Sequence, residues 1–138
     1  MNSEFKQIPD MVVIGIKNAK GKFRRAVELK GDLIYYSKLL GREVTVPSTF
    51  VSDGASVPQL FWNLYPPFGQ YLEAAVVHDY FCVLGHQGES PIDYKTGALI
   101  FREAMVVIGV GRWKRNVMYQ AVRWFGPKFC AHIPSPAP

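Results

Sequence analysis

The chain has 138 residues, of which 49% are hydrophobic and 14% aromatic, and its formal net charge is +5. This length and apolar content suit one folded domain with a hydrophobic core, and they exclude a largely disordered chain. No apolar run approaches the roughly 18 residues that a membrane-spanning helix needs. Residues 1–10 are polar and lack the apolar region of a signal peptide, so we expect a protein of the cytoplasm.

The first half of the chain has the sequence pattern of antiparallel strands. Segments of turn-forming residues separate four apolar stretches, at residues 11–17, 23–29, 33–38 and 43–46. Residues 30–32, Lys-Gly-Asp, predict a tight hairpin between the second and the third of these strands. We therefore predict an antiparallel meander of about three to five strands.

The second half of the chain has the sequence pattern of helices. Ser56 and Pro58 suggest the N-cap and the first turn of one helix. Three longer helices are predicted at residues 70–84, 93–110 and 112–125. Gly126 and Pro127 are expected to end the last of them.

The order of these elements defines the expected architecture. Strands that precede helices indicate an α+β fold, in which an N-terminal antiparallel β-meander packs against a C-terminal bundle of about three helices. We predict a single domain at residues 1–132. The proline-rich tail at residues 133–138 is predicted to be disordered.

The first of the three long helices holds two ionisable residues in an apolar setting. His78 and Asp79 stand between Val77 and Tyr80, and apart from Glu73 this helix is apolar almost all round. Such a helix is usually buried. A buried carboxylate is costly unless it is paired, hydrogen-bonded or bound to a metal. The pair therefore predicts a metal or catalytic site, or else a structural arrangement in which Asp79 caps a nearby loop and His78 donates to it.

Asp53 lies in the loop that follows the last predicted strand. A carboxylate in such a loop can ligate a cation or act as a base, and it can also bond its own backbone in an Asx-turn. Asp53, His78 and Asp79 are the candidate catalytic and metal-binding residues. Their mixed nitrogen and oxygen donors suit Zn²⁺, Mn²⁺ or Mg²⁺.

Other residues of chemical interest have simpler explanations. Ser56 fits an N-cap, and Asp93 fits the first turn of the following helix. His86 is expected to be an exposed loop residue, and His132 to be inert near the tail. The three tryptophans are predicted to be core or interface residues rather than stacking platforms: Trp62, Trp113 and Trp124.

Part of the positive charge is concentrated near the C-terminus. The predicted last helix carries four basic residues, Arg112, Lys114, Arg115 and Arg123. A basic helix can bind a phosphate backbone or an acidic partner, or it can simply present a solvated face. No RNP motif, zinc finger or clear helix-turn-helix pattern makes nucleic acid the leading hypothesis.

Several motifs together resemble a known family. Residues 50–58 (FVSDGASVP), 61–62 (FW), 66–69 (PPFG), 74–80 (AAVVHDY) and 101–105 (FREAM) resemble DUF1353, a family of small phage and bacterial proteins without an assigned function. The resemblance spans roughly residues 44–126. It implies a phage or prophage origin, and hence the cytoplasm of the host cell or association with a virion.

The resemblance also bears on the site. The family's arrangement of an Asp loop and a His-Asp helix looks like a metal-binding or hydrolase-like site. Family members often place an aspartate three residues before the phenylalanine that matches Phe101, and this chain has Ala98 there. If that aspartate completes the site, the site of this chain is degenerate.

Three functions remain open at this stage. The first is a metal-dependent hydrolase of phosphoesters or cell-wall amides, in which the ion activates a bound water. The second is a non-catalytic phage accessory or virion-associated protein, such as a tail or assembly factor, with a structural Asp/His-Asp cluster and a phage or host protein as its partner. The third is nucleic-acid binding through the basic helix, with affinity that falls steeply with salt.

Overall fold

The computed structural model describes residues 2–17, 21, 23–52, 72–86 and 94–130. Within these residues, strands occupy the N-terminal part and helices the C-terminal part, so the predicted α+β class is confirmed. The helix start predicted at Ser56 and the tail predicted at residues 133–138 lie outside the described residues.

The described strands form two antiparallel sheets of three strands each. The strands are β1 (Glu4–Gln7), β2 (Met11–Lys17), β3 (Phe23–Leu29), β4 (Leu33–Ser37), β5 (Arg42–Val46) and β6 (Val51–Ser52). One sheet has the strand order β1-β4-β5, and the other has the order β2-β3-β6. The strand stretches predicted from the sequence are thus divided between two sheets.

Two hairpins follow the predicted pattern. β2 and β3 have the predicted bounds and pair from Met11 opposite Leu29 to Lys17 opposite Phe23. Between β4 and β5, Gly41 has a φ of 68°, and its N–H donates to the Ser37 carbonyl at 2.8 Å. Glycine adopts this backbone conformation without the steric cost that a β-carbon brings, which explains the turn at this position.

The hairpin predicted at residues 30–32 is wrong, because β3 and β4 belong to different sheets. The backbone at the end of β3 bonds elsewhere. The Lys30 N–H donates to the Asp10 carbonyl at 2.9 Å, and the Leu29 N–H donates to the Phe50 carbonyl at 3.0 Å. Asp32 contacts the segment that follows β5, since its Oδ1 accepts the Ser48 N–H at 2.8 Å.

Two short strands have no clear signal in the sequence. β1 is polar and mostly exposed, so it lacks the alternation of apolar and polar residues that marks a half-buried strand. β6 has only two residues, Val51 and Ser52, which pair with Glu28 and Val27 of β3. Both strands owe their pairing to a neighbouring strand that is distant in sequence.

Three helices follow in the described part of the chain: α1 (Leu72–His86), α2 (Tyr94–Val107) and α3 (Arg112–Cys130). Their positions agree with the predicted helices, but α3 continues through Gly126 and Pro127, where its end was expected. A proline in a helix removes one hydrogen bond and bends the axis, and the remaining bonds can still carry the helix forward. None of the described helices is long and apolar enough to cross a membrane.

The hydrophobic core lies between the sheets and the helices. α1 is its centre, because Ala74, Ala75, Val76 and Val77 are all buried on successive positions around the helix. The same core cluster includes buried side chains from both sheets and both other helices, among them Leu29, Leu33, Val46, Phe50, Ile100, Phe101, Met105, Met118 and Val122. The burial predicted for this helix is therefore confirmed.

A polar contact on the side of α2 joins that helix to β4. The buried Tyr35 hydroxyl donates to Glu103 Oε1 at 2.6 Å, and the Leu39 N–H donates to Glu103 Oε2 at 2.9 Å. Burial, together with the neighbouring Glu103 carboxylate, raises the pKa of Tyr35 above its ordinary value. The hydroxyl thus stays protonated and acts as a donor, and Glu103 holds both β4 and the β4–β5 turn.

We predict that Tyr35→Phe lowers the free energy of unfolding by about 1–3 kcal/mol, because it removes a donor to a carboxylate in a partly buried site. Urea unfolding followed by circular dichroism at pH 7 measures the change. Tyr36→Phe, on the same strand and only half-buried, is the matched control and should change stability much less. Equal losses in the two variants would contradict the role of this hydrogen bond.

Candidate functional site

α1 places the His-Asp pair in the interior of the protein. Asp79 is 0% exposed and His78 is 4% exposed, so the burial predicted for both residues is confirmed. Neighbours on a helix point about 100° apart, and both directions are covered here because residues 74–79 of α1 are all buried. Both side chains therefore lie in the interior of the fold and not at an open surface.

Ser52 is one hydrogen-bond partner of Asp79. Its hydroxyl donates to Asp79 Oδ2, and both side chains are buried. The backbone of Ser52 is positioned by β6, where it pairs with Val27 of β3. A hydroxyl that donates to a carboxylate offsets part of the cost of removing that carboxylate from water.

His78 lies in an apolar environment formed mainly by α2. Its ring centroid is 5.3 Å from that of Phe101, and a β-carbon at Gly97 would lie 4.0 Å from His78 Cδ2. This burial lowers the pKa of His78 from 6.5 to about 4. At neutral pH the imidazole is therefore uncharged. In this state histidine can ligate a metal, or donate one hydrogen bond and accept another.

Aromatic packing covers α1 close to this cluster. Phe50, which directly precedes β6, meets Tyr80 edge-to-face at a centroid distance of 5.5 Å. Phe50 is 1% exposed, so its ring belongs to the core. The chain thus enters β6 from a fixed position beside the helix that carries His78 and Asp79.

The sequence-predicted site is only partly within the described residues. His78 and Asp79 are described, while Asp53, Ser56, Asp93 and His132 and the side chain of His86 are not. Ser52 was not singled out from the sequence, although it directly precedes Asp53. Its position in the motif at residues 50–58, next to the candidate acid, was the available signal.

Ala98, which occupies the position where the family resemblance implies an aspartate, also lies in the core. Ala98 is 0% exposed and packs among the buried residues of α2. Within the described residues, no group of three or more His, Cys, Asp or Glu side chains is arranged to hold a metal ion. That finding leaves the predicted set of Asp53, His78 and Asp79 untested, because Asp53 lies outside those residues.

The basic residues of α3 are on the surface. Arg112, Lys114 and Arg123 are exposed, and Arg115 is half-buried. Trp113 and Trp124 are 68% and 72% exposed, so the core position predicted for them is wrong and the interface alternative remains. The helix turns Met118, Ala121 and Val122 inward and these tryptophans outward.

The structure defines an α+β domain in which the polar side chains of Ser52, His78 and Asp79 are buried. The chain belongs to the family described as "Protein of unknown function (DUF1353)", whose model matches residues 27–122. It is similar to two proteins of Sinorhizobium fredii (strain NBRC 101917 / NGR234), both named as uncharacterized. Uncharacterized protein y4jT is 42% identical over 89 residues, which cover 63% of this chain and 25% of the relative.

The other relative, uncharacterized protein y4iH, is 31% identical over 88 residues, which cover 60% of this chain and 34% of the relative. The matched part is thus about a quarter and a third of the lengths of these relatives. No solved structure matches the chain.

We predict that His78 makes stability depend on pH between its ordinary pKa of 6.5 and its folded pKa of about 4. Below 6.5 the unfolded chain binds a proton that the folded chain does not, so stability is lost as the pH falls through this window. The loss is about 3 kcal/mol in total. His78→Gln should remove this component, measured by urea unfolding of both proteins at several pH values.

The same titration is visible in the wild-type protein alone. The NMR signals of the His78 ring should stay constant from neutral pH down to about pH 5, as expected for an uncharged imidazole. A ring that titrates near 6.5, or a variant with the same loss of stability as the wild type across this window, would contradict the burial of a neutral His78.

Proposed function

We propose that this chain is a non-catalytic accessory domain in which Ser52, His78 and Asp79 form a structural network. The network holds the chain at the end of β6. The segment that begins at Asp53, which the sequence predicts to be a loop, serves to contact a protein partner. The near-complete burial of Asp79, together with its hydrogen bond from Ser52, is the observation that supports this function best.

Accessibility favours this reading over catalysis. A hydrolytic site must admit a substrate and a water molecule, and such sites are concave and open to ligands. His78 and Asp79 are at most 4% exposed, and Ser52 is 2% exposed. These three side chains are placed to support other groups, and direct contact with a substrate would require the core to open.

The chain itself links the network to the loop. Asp53 follows Ser52 directly, so its α-carbon is about 3.8 Å from that of a residue anchored on both β3 and α1. Loops that leave a rigid anchor are common positions for recognition residues. The partner proposed here is a phage or host protein, as the family resemblance suggests.

The relatives are compatible with an accessory domain. Both are longer proteins, in which the matched part makes up 25% and 34% of the length. A unit that recurs inside longer chains has the character of a domain with its own core.

A second candidate function is the metal-dependent hydrolase, and the uncharged imidazole of His78 favours it. A neutral imidazole and a carboxylate are suitable donors for Zn²⁺, Mn²⁺ or Mg²⁺. Catalytic zinc sites use three protein ligands, however, and His78 and Asp79 would supply two. The described residues thus do not fit a complete site by themselves, and Asp53 would have to provide the third ligand.

We predict that Ser52→Ala lowers the free energy of unfolding by about 1–3 kcal/mol, because it deprives a buried carboxylate of a donor. Ser48→Ala is the matched control, since Ser48 is exposed and the N–H that it donates to Asp32 belongs to the backbone. Thermal unfolding monitored by circular dichroism measures both variants. Equal stability of Ser52→Ala and the wild type would contradict a structural network.

Metal content separates the two functions. We expect purified wild-type protein to hold no stoichiometric Zn, Mn or Mg by elemental analysis, even after incubation with each ion. Near-stoichiometric metal that is lost in His78→Ala and in Asp79→Asn, with the fold retained, would overturn the structural proposal. That outcome would justify screens for phosphoester and peptidoglycan amide hydrolysis.

Position 98 provides an independent test. We predict that Ala98→Asp destabilises the protein and creates no metal site, because the new carboxylate would enter a position that is 0% exposed. Ala98→Asn is the matched control, since it has a similar size without the charge. Stabilisation of Ala98→Asp by an added divalent ion, absent in Ala98→Asn, would instead support a degenerate metal site.

A further inference from the structure

One face of α3 carries aromatic and polar side chains that are exposed to solvent. We call it the tryptophan face and define it by Trp113, Asn116, Gln120, Arg123 and Trp124, all of which are exposed. The two tryptophans are 11 positions apart, which places them within about 20° of each other around the helix and roughly 16 Å apart along it. They therefore stand on the same side, with the amide side chains between them.

The core fixes the direction in which this face points. Met118 and Val122 on the opposite side of α3 are 0% exposed, and Ala121 is 4% exposed. A rotation that buried the tryptophans would expose these residues to water. Their exposure of 68% and 72% is thus a consequence of how α3 packs.

The charge of α3 indicates an anionic ligand. The helix sequence RWKRNVMYQAVRWFGPKFC contains no acidic residue, and it includes Arg112, Lys114 and Arg123 on the surface. These cations flank the two tryptophans along the helix. Basic side chains interleaved with exposed aromatic rings are the combination that binds single-stranded nucleic acid, in which cations meet phosphates and rings stack on bases.

Hydrogen bonding orders one of the rings. Trp124 Nε1 donates to Gln120 Oε1 at 3.0 Å, so the ring edge is held by the preceding turn of the helix. The ring nevertheless stays 72% exposed. A ring that is both ordered and exposed can stack on a base with little additional loss of side-chain entropy.

We propose that the tryptophan face of α3 binds single-stranded nucleic acid. The polar residues Asn116 and Gln120 between the tryptophans favour this ligand over a membrane surface, since helices that lie in a lipid interface present a continuous apolar face. Single strands are favoured over duplexes because their bases are available for stacking. This proposal depends on α3 alone and is independent of the network around Asp79.

Fluorescence anisotropy with a labelled oligothymidine tests the proposal on the full chain. We expect binding at roughly 50 mM salt that weakens strongly at 200 mM, as phosphate contacts require. Trp113→Ala and Trp124→Ala should each weaken binding by about fivefold or more, while the corresponding phenylalanine variants keep most of the affinity. The combined change Arg112→Gln and Arg123→Gln should reduce the salt slope by roughly 1.4.

Phe23→Ala is the matched control, because it removes another aromatic ring, 71% exposed, from β3. It should leave the affinity unchanged, and circular dichroism should show that all variants keep the wild-type fold. Absence of oligothymidine binding would overturn the proposal. So would equal weakening by Phe23→Ala, or binding to phosphatidylserine vesicles without binding to the oligonucleotide.

Discussion

The hydrogen bond from the Ser52 hydroxyl to the Asp79 carboxylate links the β part of this fold to its α part through two buried side chains. Asp79 is 0% exposed, and a carboxylate at such a position requires polar partners. β6 has only two residues, too few for its ladder with β3 to hold it firmly. The contact with α1 therefore helps to hold the end of β6, where the chain leaves the sheet.

A second carboxylate does the same for the other sheet. Glu103 of α2 accepts hydrogen bonds from the Tyr35 hydroxyl and the Leu39 N–H, so it ties the β1-β4-β5 sheet and its turn to α2. Ser52 and Asp79 tie the β2-β3-β6 sheet to α1. Hydrophobic burial is non-directional, whereas these hydrogen bonds require a particular geometry. Each sheet thus makes a directional hydrogen bond to a carboxylate of a helix.

The features that the sequence predicts well are those with strong local patterns. The near-continuous apolar character of α1 predicts its burial, and apolar residues bounded by turn-forming residues predict the bounds of β2 and β3. The division into two sheets is not predictable in this way, because it depends on backbone bonds from residues 29 and 30 to partners about 20 residues away in either direction.

The same limit applies to the candidate site. The sequence identifies His78 and Asp79, since two ionisable residues in an apolar helix are conspicuous. It does not identify Ser52, because a serine in a loop motif has many explanations and only the pairing of β6 with β3 brings it to Asp79. Trp113 and Trp124 were assigned to a core or an interface, and only the packing of α3 distinguishes these alternatives.

The residue range that matches the family includes the two buried carboxylate contacts but leaves out some exposed side chains. Residues 27–122 include both carboxylate contacts, at Ser52–Asp79 and at Tyr35–Glu103. β1 and β2 precede this range, and each is an edge strand of its sheet. The exposed apolar side chains of β2 are therefore outside the matched part, as is Trp124 at the other end. The two carboxylate contacts thus belong to the part of the chain that matches the family, whereas Trp124 and these exposed side chains of β2 lie outside it.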